Sequence, residues 1–132
     1  MDYTSENSKL SIRPNIPLAK VSDNMHSSER FQNTTLRPII KLQNDLLLAL
    51  FKYYIRLKKG VFLTLAKDKQ AAYIEKALLQ DPKIRAQIIG VIIGHFTVEE
   101  YLIYQQNTSA FNKRIVGMVR TRILSWDEEI WD

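Results

Sequence analysis

Between Pro38 and Gly60 the chain contains neither a glycine nor a proline, and its polar residues are few. Lys41, Asp45, Lys52, Arg56 and Lys59 recur at helical spacing, while the runs LLLALF and YYI fill most of the remainder. Polar side chains with a 3.6-residue period form one wet stripe, and a helix apolar around the rest of its circumference must be covered by other helices. The segment therefore predicts an all-α architecture, a compact bundle of about five helices around a central apolar helix. Gly60 supplies its left-handed stop.

The flanking segments fit that bundle. Ser28 to Asn33 predicts a short helical piece. Thr35 is placed to cap the long helix, with Pro38 tolerated in its first turn. A second helix is expected over Ala66 to Leu79, with Ala71, Ile74, Ala77 and Leu78 on its apolar face. Asp81-Pro82 then opens a third, the aspartate as N-cap and the proline at the first helical position. Its glycines, Gly90 and Gly94, are four apart, a spacing that predicts close approach by a neighbouring helix. The run IIGVII inside it also suits a strand, because isoleucine and valine favour sheets. A fourth helix begins at Val98. A fifth runs from Ala110 to about Trp126, capped by Thr108 or Ser109, with Phe111, Ile115, Met118, Val119, Ile123 and Trp126 on one face.

Three regions follow. Residues 1–26 hold Pro14 and Pro17 and show no helical period, so they read as a mobile or extended arm. Its stretch IRPNIPL echoes LRPIIKL at residues 36–42, a likeness short enough to be coincidence. Residues 27–126 form the helical domain. Residues 127–132 are an acidic tail, which with Trp126 reads WDEEIWD.

Charge and composition exclude several functions. There is no cysteine, hence no disulfide, thiolate nucleophile or zinc-thiolate site, and a reducing compartment suits the chain. The polar, acidic start lacks the pattern of a signal peptide, and the longest uncharged run, Ala86 to Val98, is too short to span a bilayer. A cytoplasmic protein without a membrane span is expected. Neither a Walker loop nor a dinucleotide-binding turn can be written from four glycines, and there is no G-x-S-x-G elbow. The net charge of +5 is uneven: residues 27–60 carry seven basic against two acidic side chains, and 95–132 carry four against six.

The most catalytic-looking stretch is IIGHFTVEEY, Ile92 to Tyr101. His95, Glu99 and Glu100 are the candidate acid/base groups or ligands, but a helix start accounts for them. Thr97 with Glu100 makes a capping box, and Phe96 with Tyr101 a hydrophobic staple. Glu99 sits in the first turn, where the helix dipole favours a carboxylate. Glu99 and Glu100 diverge by about 100° on a helix, and only two histidines exist, His26 and His95. No metal site and no cofactor is expected.

Two binding readings remain. Lys52, Arg56 and Lys59 form a basic stripe complementary to a tail bearing Trp126, Ile130 and Trp131 as anchor residues, which points to a protein partner or self-association. Lys113, Arg114, Arg120 and Arg122 would serve nucleic acid through a helix-turn-helix over Thr97 to Ile123.

The runs FQNTTLRPIIKLQNDLLLALFKYYI (Phe31 to Ile55) and GHFTVEEYLIYQQNTSAFNKR (Gly94 to Arg114) resemble a family of short bacterial proteins that often carry the name glyoxalase. The resemblance covers most of residues 27–125. The name implies lactoylglutathione lyase chemistry, for which His95, Glu99 and Glu100 would be the ligands. The chain departs from both known glyoxalase types, since it offers neither the strands of the metal-dependent enzyme nor a histidine-rich motif. The reading reached is a helical interaction or regulatory protein without an evident catalytic site.

Overall fold

The computed structural model describes residues 4–14 and 27–126. Every regular element among them is helical. A short helix, α1 (Thr4–Ser11), precedes α2 (Ser27–Phe31), a π-helical turn (Gln32–Leu36) and α3 (Arg37–Leu42). Then come α4 (Asn44–Leu57), a 3-10 turn (Val61–Thr64), α5 (Lys67–Gln80), α6 (Pro82–Ile93), α7 (Val98–Gln105) and α8 (Thr108–Leu124). Helices α5, α6 and α8 pack on one another, α7 packs on α8, and α3 links α4 to α8. No described helix is long and apolar enough to cross a membrane.

Of the mobile or extended arm expected over residues 1–26, the part Thr4–Ser11 is the helix α1, which docks on the domain. Lys9 Nζ donates to the Phe96 carbonyl at 3.1 Å and Arg13 reaches Glu100. The echo stretch beyond Pro14 lies outside the described residues.

The helix expected to start at Thr35 starts earlier. The backbone passes from α2 to α3 in right-handed helical geometry, and Thr35 turns its hydroxyl toward Glu100 rather than capping. The π-turn follows from Pro38. Proline has no N–H and its ring crowds the carbonyl four residues back, so the turn widens by one residue, and the Arg37 N–H reaches the Gln32 carbonyl. A second break falls at Gln43, whose φ of −94° and ψ of 14° divide α3 from α4. The long helix is thus two helices, and its side chains Ile39, Ile40, Leu47, Phe51 and Ile55 all enter the core.

Helix α4 ends as expected, with one refinement. The Gly60 N–H donates to Ile55 and the Lys59 N–H to Arg56, both at 3.0 Å, and both residues have positive φ, 62° for Lys59 and 67° for Gly60. These two hydrogen bonds give the Ile55 and Arg56 carbonyls, near the end of the helix, their backbone donors. A Cβ on Gly60 would meet nothing within 4 Å, so Gly60→Ala carries only the backbone penalty. A loss of about 1 kcal/mol is expected in a urea titration.

The third helix confirms the Asp81 cap, which accepts from Lys83 N–H at 3.0 Å, and excludes the strand reading. Asp81 Oδ2 also accepts from Tyr54 at 3.0 Å, joining α4 to the start of α6. Burial, then the bond to Asp81, pushes the Tyr54 hydroxyl up to about 12. The close helix approach expected at the two glycines is corrected: a Cβ on Gly90 would meet nothing within 4 Å, and one on Gly94 would meet its own helix at the Gly90 carbonyl, 3.3 Å away. The cap of α8 is Asn107, whose side chain accepts from Ala110 N–H, not Thr108 or Ser109.

Candidate functional site

Three places gather the side chains singled out in the sequence. At the α6–α7 corner, the capping box of Thr97 and Glu100 forms as expected. The sequence gives no sign of the rest. Arg13 grips Glu100 with both terminal nitrogens at 2.7 Å, and its Nη2 also donates to the His95 carbonyl at 2.6 Å. Thr35 Oγ1 donates to Glu100 Oε2 at 2.9 Å and Thr97 N–H to Oε1 at 2.8 Å. Four donors therefore fill the lone-pair positions of the carboxylate. The ion pair is almost dry, with side-chain exposures of 7% for Arg13 and 13% for Glu100. Burial alone would raise the Glu100 carboxyl, but the Arg13 contacts, the Thr97 amide and the Thr35 hydroxyl outweigh it and hold it below the ordinary carboxylate value.

His95 does not share this carboxylate through its ring. The Nε2 atom meets the Gln43 side-chain amide, and burial, then the charges of Arg13 and Lys9, lower its pKa. Glu99 is exposed on the first turn of α7. Among the described residues no three His, Asp or Glu side chains gather where a metal could be held. Phe96, expected to staple Tyr101, is buried with its ring edge-on to Phe31 and tilted against Tyr104, while Tyr101 is half-exposed. The corner is chemically a locked carboxylate: every acceptor position of Glu100 is occupied by a donor the fold itself supplies.

The second place is α4. Leu47, Phe51 and Ile55 face the core, yet Leu46, Tyr53 and Leu57 on the same helix are 51%, 57% and 62% exposed. Leu50 between them is half-buried. The full coverage implied by the sequence pattern is thus met on one face only. Of the predicted basic stripe, Arg56 and Lys59 are exposed and Lys52 is half-buried, and the Arg56 guanidinium sits 5.9 Å from the Tyr53 ring centre. Trp126 packs against the core cluster, and Ile130 and Trp131 lie outside the described residues.

The third place is a basic cleft between α8 and the strand of helix running from the π-turn through α3. A cavity of about 740 Å³ is lined by Arg37, Lys41, Arg114 and Arg122 together with Gln32 and Met118. A second, of about 660 Å³, lies beyond Arg114, which lines both; Arg30, Thr34, Gln106 and Asn107 contribute to its wall. Neither lining contains an aspartate or glutamate. Arg114 Nη1 donates to Gln32 Oε1 at 2.5 Å, and Arg122 Nη1 to Asn44 Oδ1 at 3.1 Å. Of the four cations expected to serve nucleic acid, Arg114 and Arg122 meet here. Arg120 lies 3.4 Å from Glu75, and Lys113 is exposed outside both linings. Arg30, Arg37 and Lys41 were missed because helical period alone does not say that α3 lies beside α8.

Compared with family models, curated proteins and solved structures, the chain matches none.

Proposed function

We propose that this is a cytoplasmic, non-catalytic helical interaction protein that pairs with a second copy of itself through the open face of α4. The observation that carries the reading is the 4-3-4 spacing of Leu46, Leu50, Tyr53 and Leu57, an apolar seam with the repeat by which two helices interlock. The exposed Val61, 49%, lies just beyond its end. Monomers seldom leave such a row uncovered without a use for it.

Charge favours a second copy as the occupant. The seam has Asp45 at its beginning and Arg56 and Lys59 at its end. An antiparallel, two-fold pairing sets the acidic start of each helix beside the basic end of the other, and each contact is made twice. The filled acceptor positions of Glu100 support binding over catalysis, and the lack of cysteine supports a reducing compartment.

Sedimentation equilibrium tests the reading. The wild-type chain is expected to reach dimer mass as its concentration rises to about 100 µM, an affinity of roughly 7 kcal/mol or better. Tyr53→Glu with Leu57→Glu should hold it at monomer mass with an unchanged helical circular dichroism spectrum. A wild-type chain that stays monomeric throughout would overturn the pairing.

A further inference from the structure

We infer that the cleft beside the π-turn is a binding site for the phosphodiester backbone of single-stranded nucleic acid. The site lies apart from the α4 seam and does not depend on it. Arg30, Arg37, Lys41, Arg114 and Arg122 line two cavities that share Arg114, and neither lining contains a carboxylate. Among the described residues neither Arg37 nor Lys41 forms an ion pair. Low-dielectric walls carrying one sign of charge focus the potential into the trough and raise the local concentration of an oppositely charged ligand.

The form of the trough selects a narrow polyanion. Arg114 and Arg122 are two helical turns apart on α8, about 12 Å, and Arg37 and Lys41 are one turn apart on α3, about 6 Å. Cations repeated along both walls of a concavity suit a chain with charge at regular intervals. A duplex is read by an element projecting into its groove, and these cations line a recess. A single strand can lie in it and be tracked by its backbone. The other lining groups, Gln32, Thr34, Gln106, Asn107, Thr121 and Ser125, hydrogen-bond as phosphate and sugar contacts do.

The walls also argue against an acidic protein segment. Protein partners are held above all by aromatic anchors seated in pockets, but the aromatic rings in these walls, Phe31 and Phe111, are only 4% and 6% exposed, which leaves Met118 and Ile103 as the partly exposed apolar groups. The same burial removes any platform for stacking bases, so recognition rests on the backbone and tolerates sequence. The π-turn that Pro38 imposes sets Gln32 in one lining and Thr34 and Thr35 in the other.

Fluorescence anisotropy of the full-length protein against a labelled twelve-nucleotide single strand tests this, with the matching duplex and a poly-glutamate peptide of equal charge as competitors. Binding to the single strand should weaken with salt at a log–log slope of about −3.5, the value for five phosphate contacts. The duplex and the peptide should compete at least about tenfold less well, a difference of roughly 1.4 kcal/mol. Arg37→Glu with Arg122→Glu should lower affinity by at least tenfold, while Lys67→Glu with Lys69→Glu, exposed on α5 and away from both the cleft and the α4 seam, leaves it unchanged. Equal competition by poly-glutamate, a salt-independent affinity, or no binding to the single strand would each overturn the assignment. None of these outcomes bears on the dimer measured by sedimentation.

Discussion

Replacing Glu100 by alanine is expected to lower the free energy of unfolding by about 3–5 kcal/mol, among the largest effects of any single change in the chain. The reason is what remains after the carboxylate is gone. Arg13 is 93% removed from solvent at its side chain by the exposure of 7%, and its Nε already lacks a partner among the described residues. Without Glu100 its guanidinium keeps only the His95 carbonyl, and the hydroxyl of buried Thr35 and the N–H of Thr97 lose their acceptor. A buried charge stripped of its counter-charge costs far more than the pair is worth when intact. Arg13→Ala should cost less, since Glu100 keeps the Thr35 and Thr97 donors and sits at the start of a helix.

The same contact predicts how stability depends on pH. The folded state holds the Glu100 carboxyl below its usual value of 4.5, so folding favours the ionised form. Its contribution is fully present above the unfolded-state value and is lost as pH falls from there through the lower folded value. Urea titrations at neutral pH and at successively lower pH should therefore show wild type losing stability below about pH 4.5. The Glu100→Ala chain should lose less over the same interval. A difference between the two chains that stays constant down to acid pH would sink the account.

This contact also shows which parts of the structure a sequence can disclose. The caps at Asp81 and Thr97, the stop at Gly60 and the apolar faces of α5 and α8 depend on residues within a turn or two of one another, and all are legible as spacing. Arg13 and Glu100 are 87 positions apart, and no local pattern marks an arginine in a proline-containing arm as the counter-charge of a capping glutamate. The π-turn and the break at Gln43 were hidden for another reason. Both keep the helical period almost intact, so the apolar pattern runs through them and shows one helix where the backbone makes two. Periodicity likewise tells which residues share a face but not which face is covered. That is why Lys52 and Arg56 could be read as sharing a helix while the exposure of Leu46, Tyr53 and Leu57 could not be foreseen, and why Arg37 and Lys41 were not seen to stand across from Arg122.

The two faces of α4 supply the other large effect. Phe51 is fully buried, stacked on Tyr54 at 5.7 Å and edge-on to Phe62 at 6.3 Å between ring centres. Phe51→Ala should cost about 3–5 kcal/mol, because the removed ring loses its transfer energy and leaves a cavity among rings that cannot all collapse into it. Leu57, six residues on and 62% exposed, offers the internal comparison. At concentrations where the chain is monomeric, Leu57→Ala should change stability by no more than about 0.5 kcal/mol, as an ordinary surface substitution does. At concentrations where the seam is paired, wild type should melt higher as protein concentration rises, and Leu57→Ala should lose much of that dependence, since a partner that binds only the folded state stabilises by mass action. Phe51→Ala should lower the melting temperature by a similar amount at every concentration. Two alanines on one helix thus separate the face that builds the monomer from the face proposed to join two of them, and a Leu57→Ala chain that melts like wild type at all concentrations would show the outer face to be idle.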